Sequence, residues 1–320
     1  MSETYLTPQE TADILKIKKT TVYDMIKKGR LKATKMGKQF RILESDVRAV
    51  IGDTPPEADK QPVKINPVAR YSQTDISVGL ENTQAAPFAS CVICGQDMLL
   101  DVLCGYVNGM LEGTSLMRSY LGSYNGLYAL YQGQVNAATA HLWDSETDSY
   151  NIPFIRKLLP GENVAVFHLV RRQVGIYVAK GNPKRIFSIN DFSREDVTMI
   201  NREKGSGIRV LTDSLFMMNN IDTEKLSGYN RVVCSHLAAS AIIMHGGADC
   251  AVGAQRTVMH TAAVDFVPIK YEDYDLVIPE KQMDNPTIHK MVEIVKSQQF
   301  RLEIEAMGGY DVSDMGKRLL

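Results

Sequence analysis

The spacing of apolar residues changes character along the chain, and each change predicts an element. From Leu6 to Ile51 the apolar residues first recur at helical intervals. Thr7 is placed to cap a helix carrying Ala12, Ile14 and Leu15, and a second helix turns Val22, Tyr23, Met25 and Ile26 inward until Gly29 stops it. Leu31 to Ile42 then reads as a two-stranded hairpin around Met36-Gly37-Lys38, and Asp46 opens a last short helix. The order predicts helix, turn, helix, wing over residues 1–51. Residues 52–75, GDTPPEADKQPVKINPVARYSQTD, have few periodic apolar positions and hold Pro55, Pro56, Pro62 and Pro67, the composition of a linker. From Ala85 to Leu320 short β-like runs alternate with helix-like segments, which assigns residues 76–320 to an α/β domain.

Within that domain two glycine-serine turns stand where strands feed helices. Gly122-Ser123 precedes a helix bearing Leu127, Leu130 and Tyr131, followed by a buried strand from Asn136 to Leu142. Gly205-Ser206-Gly207 follows a strand from Val197 to Asn201 and starts another helix. Each turn offers free backbone N–H groups, a hydroxyl and the positive end of a helix dipole, which together suit a small anion; helix capping alone also explains them. Arg209, just after the second turn, is a candidate counter-charge or a surface residue. Asp97, Asn151, Asn201 and Arg202 sit at apparent strand ends, where cleft residues of open α/β sheets come from, although such residues also form turns. His141 ends a buried strand as a ligand donor or a satisfied core histidine, and Tyr124 is a wall or a core aromatic.

Charge sharpens the division. The whole chain carries a net charge of -1, yet residues 1–50 hold eight Lys and three Arg against six acidic residues, so the remainder is acidic. Lys18, Lys19, Lys27, Lys28, Arg30, Lys35, Lys38 and Arg41 cluster at the second helix and its wing, where a duplex backbone would be met. The opening MSETYLTPQE has no basic flank with an apolar h-region, and no stretch reaches 18 uninterrupted apolar residues, so a cytoplasmic protein without a membrane partner is expected. Five cysteines, an odd number thinly spread, are expected as thiols; the apolar middle of Cys91-Val-Ile-Cys94 predicts a strand that separates its two sulfurs. No nucleophile elbow, Walker loop, H-E-x-x-H or dinucleotide fingerprint occurs, so neither enzyme activity nor a cofactor is expected.

The TVYDMIKKGRL run, the GKQFRI hairpin and the Asp-Val segment resemble the winged helix-turn-helix of excisionase-type and MerR-like proteins over about Leu6 to Ile51. That resemblance implies a second helix in the major groove, with Lys18, Lys19, Thr20, Thr21, Tyr23, Lys27 and Lys28 facing DNA and Lys38 and Arg41 of the wing on backbone or minor groove. Lys16 and Lys18 depart from the pattern, standing where the family often has Gly and a small hydroxyl residue. The ordered series CGQD, GSYNGLYALYQGQVNAATAHL, YNIP, GIYVAKGNPK, NREKGSGIR, SHLAAS, GADCAVG, DFVPI and EDYDLVIP resembles the periplasmic-binding-protein-like domains fused to helix-turn-helix heads. It implies a type II fold of two α/β lobes, crossed near Val164–Val178 and Val264–Ile269, with Ser123 facing the cleft from the first lobe and Ser206 from the second. Ile208 stands where that family's turn often has Thr.

These readings converge on a one-component transcription regulator that binds a double-stranded operator as a homodimer or higher oligomer and senses a small anion, molybdate or tungstate first. An organic acid, or an architectural DNA-binding protein without an effector, remains the alternative.

Overall fold

The computed structural model describes residues 5–28, 31–36, 39–44, 47 and 89–320, and the chain separates into two compact units, residues 1–66 and 67–320. Gly29, Gly37, Asp46 and the 52–75 segment lie outside the described residues.

The front unit runs β1 (Tyr5–Leu6), α1 (Pro8–Leu15), α2 (Lys19–Lys27), β2 (Thr34–Met36) and β3 (Gln39–Leu43). Thr7 caps α1 in a reciprocal box: its hydroxyl accepts from the Glu10 N–H, and Glu10 accepts from the Thr7 N–H at 2.7 Å. Lys16 ends that helix at φ 53°, the left-handed turn position that glycine occupies without strain. Lys18, at the start of α2, makes no side-chain cap, so the departure at this position leaves the helix start to the backbone. Ala12, Val22, Leu31, Ile42 and Val47 form the core, joined by Leu6, Leu15, Met25 and Ile26. Ile14 and Tyr23 are exposed rather than inward, because each falls off the stripe that Ala12 and Val22 define. The hairpin forms as the alternation predicts, and the two residues of β1 extend it into a sheet ordered β1-β3-β2.

The larger unit is α/β. Its elements are β4 (Ala89–Cys94), α3 (Leu99–Met110), β5 (Thr114–Ser119), α4 (Ser123–Tyr131), β6 (Ala137–Ala140), β7 (Trp143–Asp144), β8 (Ser149–Tyr150), α5 (Ile152–Leu158) and β9 (Val164–Ala179). Then come β10 (Asn201–Arg202), α6 (Gly207–Met218), β11 (Val232–Val233), α7 (His236–Met244), β12 (Cys250–Ala254), α8 (Gln255–Val258), β13 (Val264–Pro279), α9 (Pro286–Lys296), α10 (Gln298–Ala306) and β14 (Tyr310–Asp311).

Two strands of 16 residues each, β9 and β13, pair antiparallel and run through both lobes of a sheet ordered β12-β9-β13-β6-β4-β5. Their side chains alternate into separate cores. Phe167 and Leu169 face a first-lobe cluster with Leu99, Leu103 and Ile288, and Val166 faces another with Leu127, Leu142 and Ile155. Beyond the polar Arg171-Arg172-Gln173 interruption, Val174, Ile176 and Val178 enter a second-lobe core with Phe192, Leu211 and Phe216. β13 carries bulges between Pro268 and Lys270 and between Tyr274 and Asp275, so the crossing is bracketed by irregular backbone. β9 lies where the first crossing was expected, whereas β13 begins with the expected Val264–Ile269 run and continues to Pro279, so its polar crossing residues lie beyond Ile269. One boundary differs: Trp143 packs in the second-lobe core, under the Lys270 ammonium at 3.7 Å, although its chain neighbours belong to the first lobe. Cys91 and Cys94 face different clusters, as an i, i+3 pair on a strand must.

Candidate functional site

In the front unit, α2 presents one wet face. Lys18, Lys19, Thr20, Thr21, Lys27 and Lys28 are exposed, and Lys19, Tyr23 and Lys27 follow at four-residue spacing along a single stripe. Tyr23 meets Phe40 of β3 edge-on at 6.0 Å between ring centroids, which fixes the wing against the helix. Arg41 is half-buried on β3, and Lys28 pairs with Asp24 at 2.7 Å. Arg30, Lys38 and the Lys35 side chain lie outside the described residues.

In the larger unit a small space of about 240 Å³, its mouth included, opens between the lobes. Gly95, Gln96 and Asp97 line it after β4, Gly122 and Ser123 at the start of α4, and Thr139 and His141 at the end of β6. Arg172 and Tyr274 come from the crossing strands and His236 from the start of α7.

Charge in the wall is arranged by the register of the crossing strands, which sets Arg172 opposite Glu272. Arg172 donates from Nε to Glu272 at 2.8 Å and from Nη1 to Asp97, and its guanidinium lies 4.6 Å from the Tyr274 ring centre. Asp97 also accepts from the Leu99 N–H at 2.8 Å and the Tyr310 hydroxyl at 2.7 Å. Glu272 is completed by His141 Nδ1 at 2.9 Å. Burial raises the Glu272 pKa, but the charges and hydrogen bonds of His141 and Arg172 outweigh it and hold the carboxyl at about 2. Thr139 donates to the Cys94 carbonyl at 3.0 Å, so the Tyr274 hydroxyl, 2.6 Å away, donates to Thr139.

Ser123 is buried at the cavity, and its oxygen accepts from the His141 N–H at 3.2 Å, which leaves its own proton to donate. Ser206 is placed differently. Its hydroxyl donates to the Glu203 carbonyl at 3.0 Å and accepts from the Arg209 N–H at 3.2 Å, capping α6, and it does not line the cavity. The turn around it closes the lobes instead. The Gly205 carbonyl accepts from the Tyr124 N–H at 3.0 Å, and the Lys204 carbonyl accepts from Asn125 Nδ2 at 3.2 Å. A Cβ on Gly122 would stand 2.6 Å from Ser206 Cα, so only glycine permits this approach. Gly205 itself sits at φ +92°, and the ring of His141 abuts Gly207.

Arg209 is directed away from the cavity, onto Asp213 at 2.8 Å, the Arg202 carbonyl at 3.1 Å and the face of Tyr229. Asn201 donates to the Tyr229 carbonyl and receives the Arg202 N–H, while Tyr124 is exposed. Asn151 orders the β6 end through Leu142 and Asp275. Of the expected ligand residues, then, Gly122, Ser123, Asp97 and His141 come together; Ser206, Arg209 and Asn201 serve the second lobe. Gln96, Thr139, Arg172, His236 and Tyr274 were not foreseen as lining residues. Only the Ser235-His236 helix start in SHLAAS carried a local signal, a serine cap like that of Ser206. Among the described residues no group of three His, Cys, Asp or Glu side chains could hold a metal ion, and no helix is long and apolar enough to cross a membrane.

A PBP superfamily domain profile matches residues 105–296, more than half of the chain. The chain belongs to the PBP superfamily. A helix-turn-helix domain profile matches residues 5–53, so both matched types are binding domains rather than enzymatic ones: the first binds small ligands, the second DNA. Along its whole length this superfamily member is 36% identical over 315 residues to the Uncharacterized protein YvgK of Bacillus subtilis (strain 168), covering 98% of this chain and 97% of that protein. It shares the same identity over 108 residues with an Uncharacterized protein in a ferredoxin 2Fe-2S gene 5' region of Clostridium pasteurianum, covering 34% of this chain and 96% of that one. Its fold matches an ABC transporter substrate-binding protein with bound phosphate from Clostridium perfringens at TM-score 0.53 and 12% identity, over 69% of this chain and 98% of that one. It also matches the regulatory domain of a LysR family regulator from N. meningitidis at TM-score 0.51 and 14% identity, over 70% and 99%. The two-lobed architecture expected from the sequence is thus the architecture present.

Proposed function

We propose that this protein is a non-enzymatic, one-component transcription regulator whose interlobe cleft binds a small oxyanion and whose front unit binds a double-stranded operator as a homodimer. The observation that carries the reading is the union in one chain of an exposed basic helix in a helix-turn-helix unit with a cleft lined by Ser123 at the start of α4. A free hydroxyl proton and a helix N-terminus stabilise negative charge without a dedicated cation. The two wall carboxylates are both bound to Arg172, and Glu272 is bound to His141 as well, so neither faces a ligand unpartnered. Molybdate and tungstate lead as effectors because tetrahedral oxyanions match hydroxyl and amide donors, and phosphate, bound by the Clostridium perfringens neighbour, is tested beside them. The anion favours the closed lobes, and closed and open forms must differ in affinity for DNA.

Thermal and calorimetric titration of the full chain with molybdate, tungstate, sulfate and phosphate tests this. An anion at 100 times its Kd adds about 2.7 kcal/mol of stability. Stabilisation by small organic acids but by none of the four anions reassigns the effector, and stabilisation by no small molecule favours an architectural role.

A further inference from the structure

The second lobe contributes one side chain to the cavity from beyond the crossing strands, and it is His236 rather than Ser206. His236 is the first residue of α7, a nine-residue helix capped by Ser235, whose hydroxyl accepts from the Ala238 N–H at 3.0 Å. The Ala254 N–H points at His236 Nδ1 at 3.4 Å, which makes that nitrogen the acceptor and places the ring proton on Nε2. Burial, and then the charges of Arg202, Arg172 and His141, press its pKa well below the usual histidine value, so the ring is neutral at pH 7.

Behind it stands a buried guanidinium, paired with Glu203, that keeps one donor unpartnered. Arg202 is 1% exposed, and its Nε and Nη2 are held by Glu203, by Gln96 Oε1 at 2.5 Å and by the Val233 and Cys234 carbonyls. Its Nη1 is buried without a partner. Gln96, which it holds, and His236, whose ring feels its charge, both line the cavity. The acidic groups nearby are all engaged: Glu203 by Arg202, and Asp97 and Glu272 by Arg172.

Resting on the anion-binding reading of the cleft, we infer that the ligand is clamped between the Ser123 and His236 helix starts, with His236 Nε2–H as the second lobe's donor and the unpartnered Arg202 Nη1–H behind it. This replaces the symmetric Ser123–Ser206 clamp.

The test is calorimetric titration of the full chain and its H236A, H236Q and S206A variants with each of molybdate, tungstate, sulfate and phosphate. H236A weakens the bound anion at least about tenfold, H236Q, which keeps an N–H donor, weakens it less, and S206A changes it under about threefold. Unfolding temperatures of the anion-free variants show that each is folded, and in the wild type the anion shifts the His236 Nε2–H resonance. Wild-type binding with H236A unchanged overturns the clamp and leaves the anion sensor standing. Wild-type binding of none of the four removes the anion reading and the clamp with it.

Discussion

At the scale of single residues, the cleft is organised by a buried cation with two carboxylates. Arg172 meets Asp97 and Glu272 across 75 and 100 positions of sequence. No local pattern announces such a pair; it exists only once β9 and β13 are in register. Asp97 and His141 were legible because they end strands, whereas His236 depends on a distant Ala254 N–H. Breaking a buried pair is strongly destabilising because the remaining charge is left desolvated. Glu272→Gln leaves Arg172 paired with Asp97, so it should lower stability at pH 7 by less than the about 3–5 kcal/mol of a fully broken buried pair, read by urea unfolding. Because its folded pKa is depressed, the carboxylate contributes above its unfolded value near 4.5, and that contribution is lost as pH falls through about 2. The wild type should lose stability through that window more steeply than E272Q; parallel profiles would disprove the assignment. Gly122→Ala is the complementary test, since its Cβ would collide with Ser206 Cα and not with a movable side chain. Anion affinity should fall about tenfold or more, and anion-free stability should fall by about 1–3 kcal/mol as the contact between the two turns is forced apart.

At the scale of elements, periodicity and punctuation carried far. The Thr7 cap, the hairpin, the first crossing strand and the start of the second were all readable, and the polar Arg171-Arg172-Gln173 break inside the apolar run marks where β9 leaves one lobe for the other. Two-residue pieces were not. β1 joins the wing sheet and β7 reaches the second lobe without any periodic signal, because a repeat of two needs more than two residues. Helix α2 offers a prediction of opposed signs. Lys18→Ser should give it the missing side-chain cap, adding about 1 kcal/mol of protection to its amides in hydrogen exchange of the full chain. The same change removes a positive charge from the exposed face, so DNA binding should weaken as the helix stabilises. Unchanged protection would show that the Lys18 carbonyl, which accepts from Thr21 at 2.8 Å, already suffices.

At the scale of the whole molecule, charge is divided between a basic helix-turn-helix front and an acidic remainder. Composition made this visible, but the cavity is lined by side chains brought from six parts of the chain into one small space. Replacing Lys19 and Arg41 by Ala should reduce DNA affinity across all sequences and flatten the dependence of log K on log salt by about 0.9 for each lost phosphate contact. An unchanged slope in gel-shift titration at several salt concentrations would take both residues off the phosphates. Coupling between the sensor and the front unit is the central claim, and it is measured by fluorescence anisotropy of the full chain on a duplex selected from a random pool. The titration is run without anion and with the anion that calorimetry identifies, in the wild type and in Ser123→Ala. The account predicts that saturating anion shifts wild-type DNA affinity by about fivefold or more, and that the same anion concentration leaves S123A unmoved. Superimposable wild-type curves with and without a calorimetrically bound anion would contradict it.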